Sequence, residues 1–209
     1  MKWLIPAALV LTVAVVLARR SNGTALQDDM PDQTAGAVES LIHQLNPMQY
    51  LDDTDDQIAR MNERAFLDMI AYAEGTSSPE GYRMMFGGGL FNSYADHPRV
   101  LHEFTNKVGQ RLKTSAAGRY QFLARTWDEL QRKLDLPDFG PASQDSAALE
   151  LIRQRGALAD VRAGRVSEAV RKVAPIWASL PGAGYNQPER KLSQLLQAYS
   201  ASGGAISEA

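Results

Sequence analysis

Beyond residue 60, the apolar residues of this 209-residue chain return repeatedly at helical spacing, and the rhythm breaks clearly in one place. Phe66, Met69, Ile70 and Ala73 fall at i, i+3, i+4 and i+7, the stripe of an amphipathic helix, with Gly75 placed to stop it. "GRYQFLARTWDELQRKLDL" resumes that spacing through Phe122, Leu123, Trp127, Leu130 and Leu134, which puts Tyr120 and Gln121 at a helix start. A third helix reads through "PASQDSAALELIRQRG", with Ser143 as candidate N-cap and Gly156 as stop. A fourth starts at Ser167, kinks at Pro175 and ends at Pro181, and "PERKLSQLLQAYSASGG" supplies a fifth. The break lies in "GYRMMFGGGLFNSYADHPR", where apolar and aromatic residues flank Gly87-Gly88-Gly89. It predicts a short hairpin or an open loop near residues 81–94. The fold class is therefore mainly α with a small β-hairpin element.

Ahead of this body stands a different kind of sequence. Lys2 is followed by sixteen uncharged residues, Trp3 to Ala18, and then by Arg19 and Arg20. As a helix that stretch covers roughly 24 Å, short of the ~30 Å hydrocarbon core of a bilayer. Snorkelling of Lys2 and the arginines makes up the difference. A membrane anchor and a cleaved secretory signal both fit. Val16-Leu17-Ala18 offers small residues before a cut, but Arg19 is a poor residue to follow one, which favours the anchor. Either kind of segment implies export of the body. Residues 1–20 are read as the anchor or signal, 21–60 as an acidic flexible stalk, 61–204 as the folded domain and 205–209 as a disordered tail. Within the stalk, "AVESLIHQL" fits one short amphipathic helix that Pro47 ends.

Charge separates the same two regions. Residues 1–63 hold 4 Lys/Arg against 9 Asp/Glu, and residues 64–209 hold 18 against 15, so a net −2 is the sum of −5 and +3. The small basic excess is no nucleic-acid stripe, and no nucleic-acid partner is expected. It suits an anionic polymer as substrate. With no cysteine, disulfides, thiolate nucleophiles and Cys-based zinc sites are excluded.

Three stretches carry residues suited to chemistry. In "AYAEGTSS", Glu74 sits at the helix end, where the macrodipole disfavours an ionised acid. Partly desolvated there, it would have the raised pKa a general acid needs; fully solvated, it would be an indifferent surface glutamate. "TSAAGRYQF" offers Ser115, Gly118, Tyr120 and Gln121, a small-residue approach followed by an aromatic face and an amide that suit a sugar with N-acetyl groups. The same residues also fit a plain loop-to-helix junction, with Ser115 bonded to local backbone and Tyr120 packed. "IWASLPGAGYNQ" sets Tyr185 beside two glycines as a cleft wall or a simple turn, and Trp177 reads as core. His97 and His102 are wrongly spaced for a shared metal, Asp96-His97-Pro98 fits an Asx-type turn, and the triple glycine lacks the Lys and Ser/Thr of a phosphate loop. No metal, nucleotide or other cofactor is expected.

Five blocks in order, "RAFLDMIAYAEGT", "GGGLFNSYADHPR", "AAGRYQFLARTWD", "DFGPASQDSAALELIRQRGAL" and "IWASLPGAGY", give the chain from about Arg64 to Gly204 a marked resemblance to the lambda-type phage endolysins. These form a lytic transglycosylase group of the lysozyme superfamily. The resemblance implies a lysozyme-like α+β fold and peptidoglycan glycan strands as substrate. It carries the catalytic role over to Glu74, which would protonate the MurNAc–GlcNAc oxygen and then deprotonate the muramic C6 hydroxyl, closing a 1,6-anhydro ring. Ser115, Tyr120, Gln121 and Tyr185 would then line the substrate cleft. One carboxylate suffices for that scheme, whereas a hydrolytic muramidase of the usual kind needs a second, with Asp96 and Glu103 as candidates. A non-catalytic peptidoglycan-binding module is the third reading, against which the retained Glu74 and "GRYQ" count. The chain departs from the family pattern in a longer segment before "AAGRYQ", a shorter loop after Glu74, Tyr72 where tryptophan is expected, and the leading anchor and stalk. An inner-membrane-anchored or exported monomer, its domain facing the periplasm and cell wall, is the implied arrangement.

Overall fold

A computed structural model describes residues 47–207, and the residues from Leu51 onward form one unit. The segment 1–20 and most of the stalk lie outside the described residues. Helix α1 (Pro47–Glu74) runs for 28 residues. Its Phe66, Met69 and Ile70 are fully buried and Ala73 nearly so, as the apolar spacing predicted. The stalk boundary at residue 60 is corrected: residues 47–60 are helical. Pro47 is the first residue of this helix, a place that suits proline because a first-turn N–H has no intrahelical acceptor and its loss costs nothing; the helix expected ahead of it lies outside the described residues. The polar residues up to Arg60 continue a helix nucleated by the buried stripe, and each added residue then costs no new nucleus. Among the described residues no helix is long and apolar enough to cross a membrane.

Gly75, at φ +76°, ends α1 as expected. Gly75 N–H donates to the Tyr72 carbonyl and Thr76 N–H to the Ala71 carbonyl, a Schellman closure of the last turn. The chain then makes a 3₁₀ turn at Gly81–Arg83 and a single antiparallel bridge, Met84 to Leu90, around the glycines. The hairpin proper lies further on, and this is a second correction. Strands β1 (His102–Thr105) and β2 (Arg111–Thr114) pair antiparallel with Phe104 opposite Leu112. Asn106 closes their loop, its side-chain oxygen accepting from the amides of Val108 and Gln110. One face of this ribbon packs on Phe86, 5.2 Å from the Phe104 ring, while the other carries Glu103, Arg111 and Lys113 into solvent. So little apolar content left no alternation to read in the sequence.

Next comes a turn, Gly118–Gln121, closed by an Ala117–Phe122 bridge, and then α2 (Ala124–Leu134). Helices α3 (Pro141–Gln154), α4 (Leu158–Arg162), α5 (Val166–Val173) and α6 (Leu192–Ala201) complete the body. Ser143 is not the N-cap of α3: Gly140 occupies that place, Pro141 is the first helical residue, and the Ser143 hydroxyl donates to Asp138 at 2.9 Å. Nor does Ser167 cap α5, which begins at Val166 and ends at Val173, ahead of Pro175. The core is an aromatic knot of Phe91, Phe122, Trp127 and Phe139, with the last two rings 4.5 Å apart. It is joined to α1 by helix residues such as Ile152, Val161, Leu195 and Tyr199. Gln144, fully buried, ties the knot to the turn: it accepts from Arg119 N–H and donates to the carbonyls of Tyr82 and Phe139. A side chain at Gly118 would place its Cβ 2.3 Å from the Gln144 oxygen. The tail expected to be disordered is held through residue 207: Ala205 N–H donates to Asn62 and Ser207 N–H to the Gly164 carbonyl. Backbone amides that find acceptors on the body order what composition alone marks as a loose end.

Candidate active site

Glu74 is the last residue of α1, half-buried, at the helix end where an acid is least favoured. The turn that presents it is fixed twice. The Thr76 hydroxyl donates to the carbonyls of Ala71 and Arg119, and Gly81 packs so close that an added Cβ would lie 1.9 Å from the Thr76 backbone carbonyl oxygen. The Ser179 hydroxyl donates to the Glu74 carboxylate at 2.6 Å from a segment 105 residues away. Burial drives the Glu74 carboxyl above its ordinary range, while the Ser179 hydrogen bond and the charge of Arg190 pull it back. The group is thus biased toward its protonated form, the state of a general acid.

Residues 179–190 meet the end of α1 through Ser179 and Arg190. Tyr185 is 48% exposed and donates its hydroxyl to the Pro175 carbonyl at 2.6 Å. Glu189 turns inward on its own loop, accepting from the amides of Gly182 and Gly184. The β1–β2 loop reaches this segment through Lys107 N–H, which donates to the Asn186 carbonyl. Trp177 is core, as expected, and its indole donates to the Tyr120 carbonyl.

The second predicted stretch is placed differently from expectation. Tyr120 and Gln121 lie in the closed turn before α2, not at a helix start, and Gln121 has φ +49°. Tyr120 is 1% exposed, so its ring offers no sugar platform; its hydroxyl donates to Asp145 at 2.6 Å, beside that of Tyr82. Those groups line a separate cavity of about 450 Å³ with Arg64 and Asp68, which does not include Glu74. The Gln121 amide donates to the carbonyls of Gly118 and Met84, and the Ser115 oxygen accepts from Ala124 N–H at the start of α2. These three residues build the turn whose Arg119 carbonyl accepts from the Thr76 hydroxyl. None of the described hydrogen bonds joins them to Glu74.

Asp96, a candidate second acid, is forked onto Arg99 at 2.9 Å. Its partial burial raises the carboxyl, but the Arg99 and His97 hydrogen bonds outweigh that and hold it below the usual range. Glu103 pairs with Arg111 and Lys113 on the exposed face of the ribbon. His97 is buried and neutral, with Nε2 against the Phe122 carbonyl and Nδ1 accepting from Arg99 N–H. Among the described residues no group of three or more His, Asp or Glu side chains is arranged to hold a metal.

The model of the family described as Endolysin matches residues 64–206, from the middle of α1 to the C-terminal tail. The chain belongs to the endolysin family. It is 44% identical to the endolysin of Escherichia phage lambda over 151 residues, which cover 69% of this chain and 93% of that one. The endolysin of Escherichia phage P2 is likewise 44% identical over 155 residues, covering 68% and 93%. A solved structure of bacteriophage lambda lysozyme, complexed with a chitohexasaccharide, superposes with a TM-score of 0.64 at 42% identity over 70% of this chain and 97% of that one. The lysozyme-like, helix-rich fold with a small sheet is therefore that of this endolysin.

Sequence reasoning singled out Glu74 and missed its two neighbours, Ser179 and Arg190. Ser179 lies inside the "IWASLPGAGY" block but carries no local sign of its role, and Arg190 sits in a charged run that reads as surface. Only the fold joins residues separated by more than a hundred positions.

Proposed function

We propose that this endolysin cleaves the glycan strands of peptidoglycan as a lytic transglycosylase, with Glu74 as the single acid and base. The observation that carries the proposal is the state of Glu74: desolvated, raised in pKa and held by one neutral hydroxyl. Protonated Glu74 gives its proton to the oxygen linking MurNAc to GlcNAc, and the bond from that oxygen to the muramic C1 breaks. The carboxylate left behind takes the proton of the muramic C6 hydroxyl as its oxygen bonds to C1. No water is consumed, and the product is a 1,6-anhydro end plus a free GlcNAc hydroxyl.

One feature supports transglycosylation over hydrolysis. Asp96 and Glu103 are both engaged by cations, so neither is poised as the nucleophile or base that a two-carboxylate hydrolase requires. A glycan substrate agrees with the chitohexasaccharide complex of the lambda lysozyme. The decisive experiment is mass spectrometry of muropeptides released from purified sacculi by the full chain and by Glu74→Gln. Fragments one water lighter than reducing ends, absent with the variant, are expected. Reducing ends would make the enzyme a hydrolase, and undiminished cleavage by the variant would remove Glu74 from the mechanism.

The proposal extends to location: segment 1–20 anchors the chain and its catalytic body works on the wall side of the membrane. Activity should then sediment with membranes and be released by proteolysis between residues 21 and 46. Soluble protein that retains Met1–Ala18 would contradict it.

A further inference from the structure

Arg190 is a residue that neither the sequence motifs nor the family match singles out, yet it meets the end of α1 in two ways and the serine that holds Glu74 in a third. Its guanidinium carbon lies 5.1 Å from the centre of the Tyr72 ring. Its Nε makes a long hydrogen bond, 3.4 Å, to the Ala73 carbonyl. Its backbone N–H donates at 2.7 Å to the carbonyl of Ser179, the residue whose hydroxyl holds Glu74. The carbonyls of Ala71 and Tyr72 are taken by Thr76 and Gly75, so Arg190 supplies the donor for the next one along. A cation there also answers the negative end of the helix dipole.

We propose that Arg190 is the positioning residue for Glu74, seating the helix end, fixing the serine that orients the carboxylate, and setting its readiness to release a proton. The proposal rests on Glu74 acting as the single acid and base. Among the described residues no ion pair joins Arg190 to Glu74, and that separation matters. A guanidinium in direct contact would hold the carboxylate ionised and spoil the acid step. With no cation at all, a buried carboxyl would bind its proton too firmly to return as a base. A positive charge nearby but out of contact leaves both steps open to one group. The other polar groups here are accounted for: Ser179 bonds Glu74, Tyr72 lies under the guanidinium, and Glu189 is occupied by the amides of Gly182 and Gly184.

The test measures kcat and KM across pH on soluble, uncrosslinked glycan strands, using the full chain and its Arg190→Gln, Arg190→Lys and Glu74→Gln variants. Because the free enzyme must start with Glu74 protonated, the alkaline limb of kcat/KM reports that proton. Arg190→Gln should lower kcat roughly tenfold with little change in KM, as expected for misplaced reacting groups, and move the limb to higher pH. Arg190→Lys keeps the charge and loses the flat fork, so its limb should stay near the parent's while kcat falls. A Gln variant with the parent's kcat and limb, beside an inactive Glu74→Gln, overturns this proposal and leaves the assignment of Glu74 standing. A rise in KM with an unmoved limb also overturns it, making Arg190 a substrate contact. Cleavage by Glu74→Gln would instead defeat the assignment itself. Should Arg190→Gln fail to fold, Tyr72→Leu removes the seat of the guanidinium and should lower kcat and raise the limb. Parental values in both Tyr72→Leu and Arg190→Lys would then overturn the proposal.

Discussion

Two glutamates of this molecule occupy like positions and are driven in opposite directions. Glu74 ends α1, and Glu150 lies in the last turns of α3; both are withdrawn from water near the negative end of a helix. Glu150, 7% exposed, is met by Arg153 at 2.6 Å, Lys133 from α2 at 2.7 Å and the amide of Gln154 at 3.0 Å. Those hydrogen bonds and charges, the Arg153 bond foremost, overcome its desolvation and hold it well below the ordinary glutamate range. Glu74 has one hydroxyl and a cation out of contact, and desolvation wins. Burial alone therefore does not make a catalytic acid. The number of donors left touching the carboxylate decides which way its hold on the proton moves.

The comparison breaks most decisively at Glu74. Glu74→Gln should reduce glycan cleavage by about a thousandfold, within the range general acid–base catalysis contributes, while Glu150→Gln leaves the rate close to the parent's. Equal losses in the two would erase the distinction. Ser179→Ala should cost roughly tenfold in kcat and shift the alkaline limb of kcat/KM upward, because the hydrogen bond that favours the carboxylate is removed. Glu150→Gln should cost about 1 kcal/mol of unfolding free energy at pH 7, a modest figure because Lys133 and Arg153 are about half exposed and screened. Since the folded pKa of Glu150 lies below the ordinary 4.5, that difference is full above 4.5 and fades as pH falls through the folded value. Denaturant titrations at pH 7 and pH 3 would show it. Glu74 carries the opposite sign. Its folded pKa is raised, so its burial costs stability as pH rises from 4.5 toward the folded value. Glu74→Gln should therefore raise the melting temperature at pH 8 by roughly 2–4 °C, the shift expected from about 1 kcal/mol in a domain of this size, and not at pH 4. No gain at pH 8 would mean that Glu74 is better solvated than its surroundings indicate.

What was legible in the sequence followed periodicity and glycine. The face of Phe66, Met69, Ile70 and Ala73 is buried as the spacing demanded, and Gly75 and Gly156 both adopt the positive φ of a helix stop. Glu74 could be named because its oddity was local: an acid at the wrong end of a helix. The hairpin escaped because its strands bury only every second residue of β1 and almost nothing of β2. Residues 47–60 were misjudged because composition describes what a segment can bury, and a helix already nucleated next to it needs to bury nothing. Tyr120 misled for a related reason. An aromatic beside Gly118 suits a ligand platform and a packed turn equally, and Asp145, which settles the matter by accepting the hydroxyl of Tyr120, comes 25 residues later.

The closure between Asn62 and Ala205 bears on the order in which the molecule is made. Asn62, 1% exposed, accepts from the amide of Ala205 and donates to the Arg162 carbonyl, contacts spanning 143 and 100 residues. Behind them Gly204 lies against Ala65 and the Tyr199 ring with no room for a side chain. Synthesis proceeds from the N-terminus at about 5–20 residues per second, so α1 emerges first and waits roughly 7–30 s for the segment that seals it. Through that interval the flank of the helix beside Asn62 and Ala65 is uncovered, and the glutamate at its end has neither Ser179 nor Arg190. Translation itself thus works as a delay: a nascent chain carries Glu74 from early on but cannot assemble the surroundings that set its proton affinity until residues 179–207 have left the ribosome.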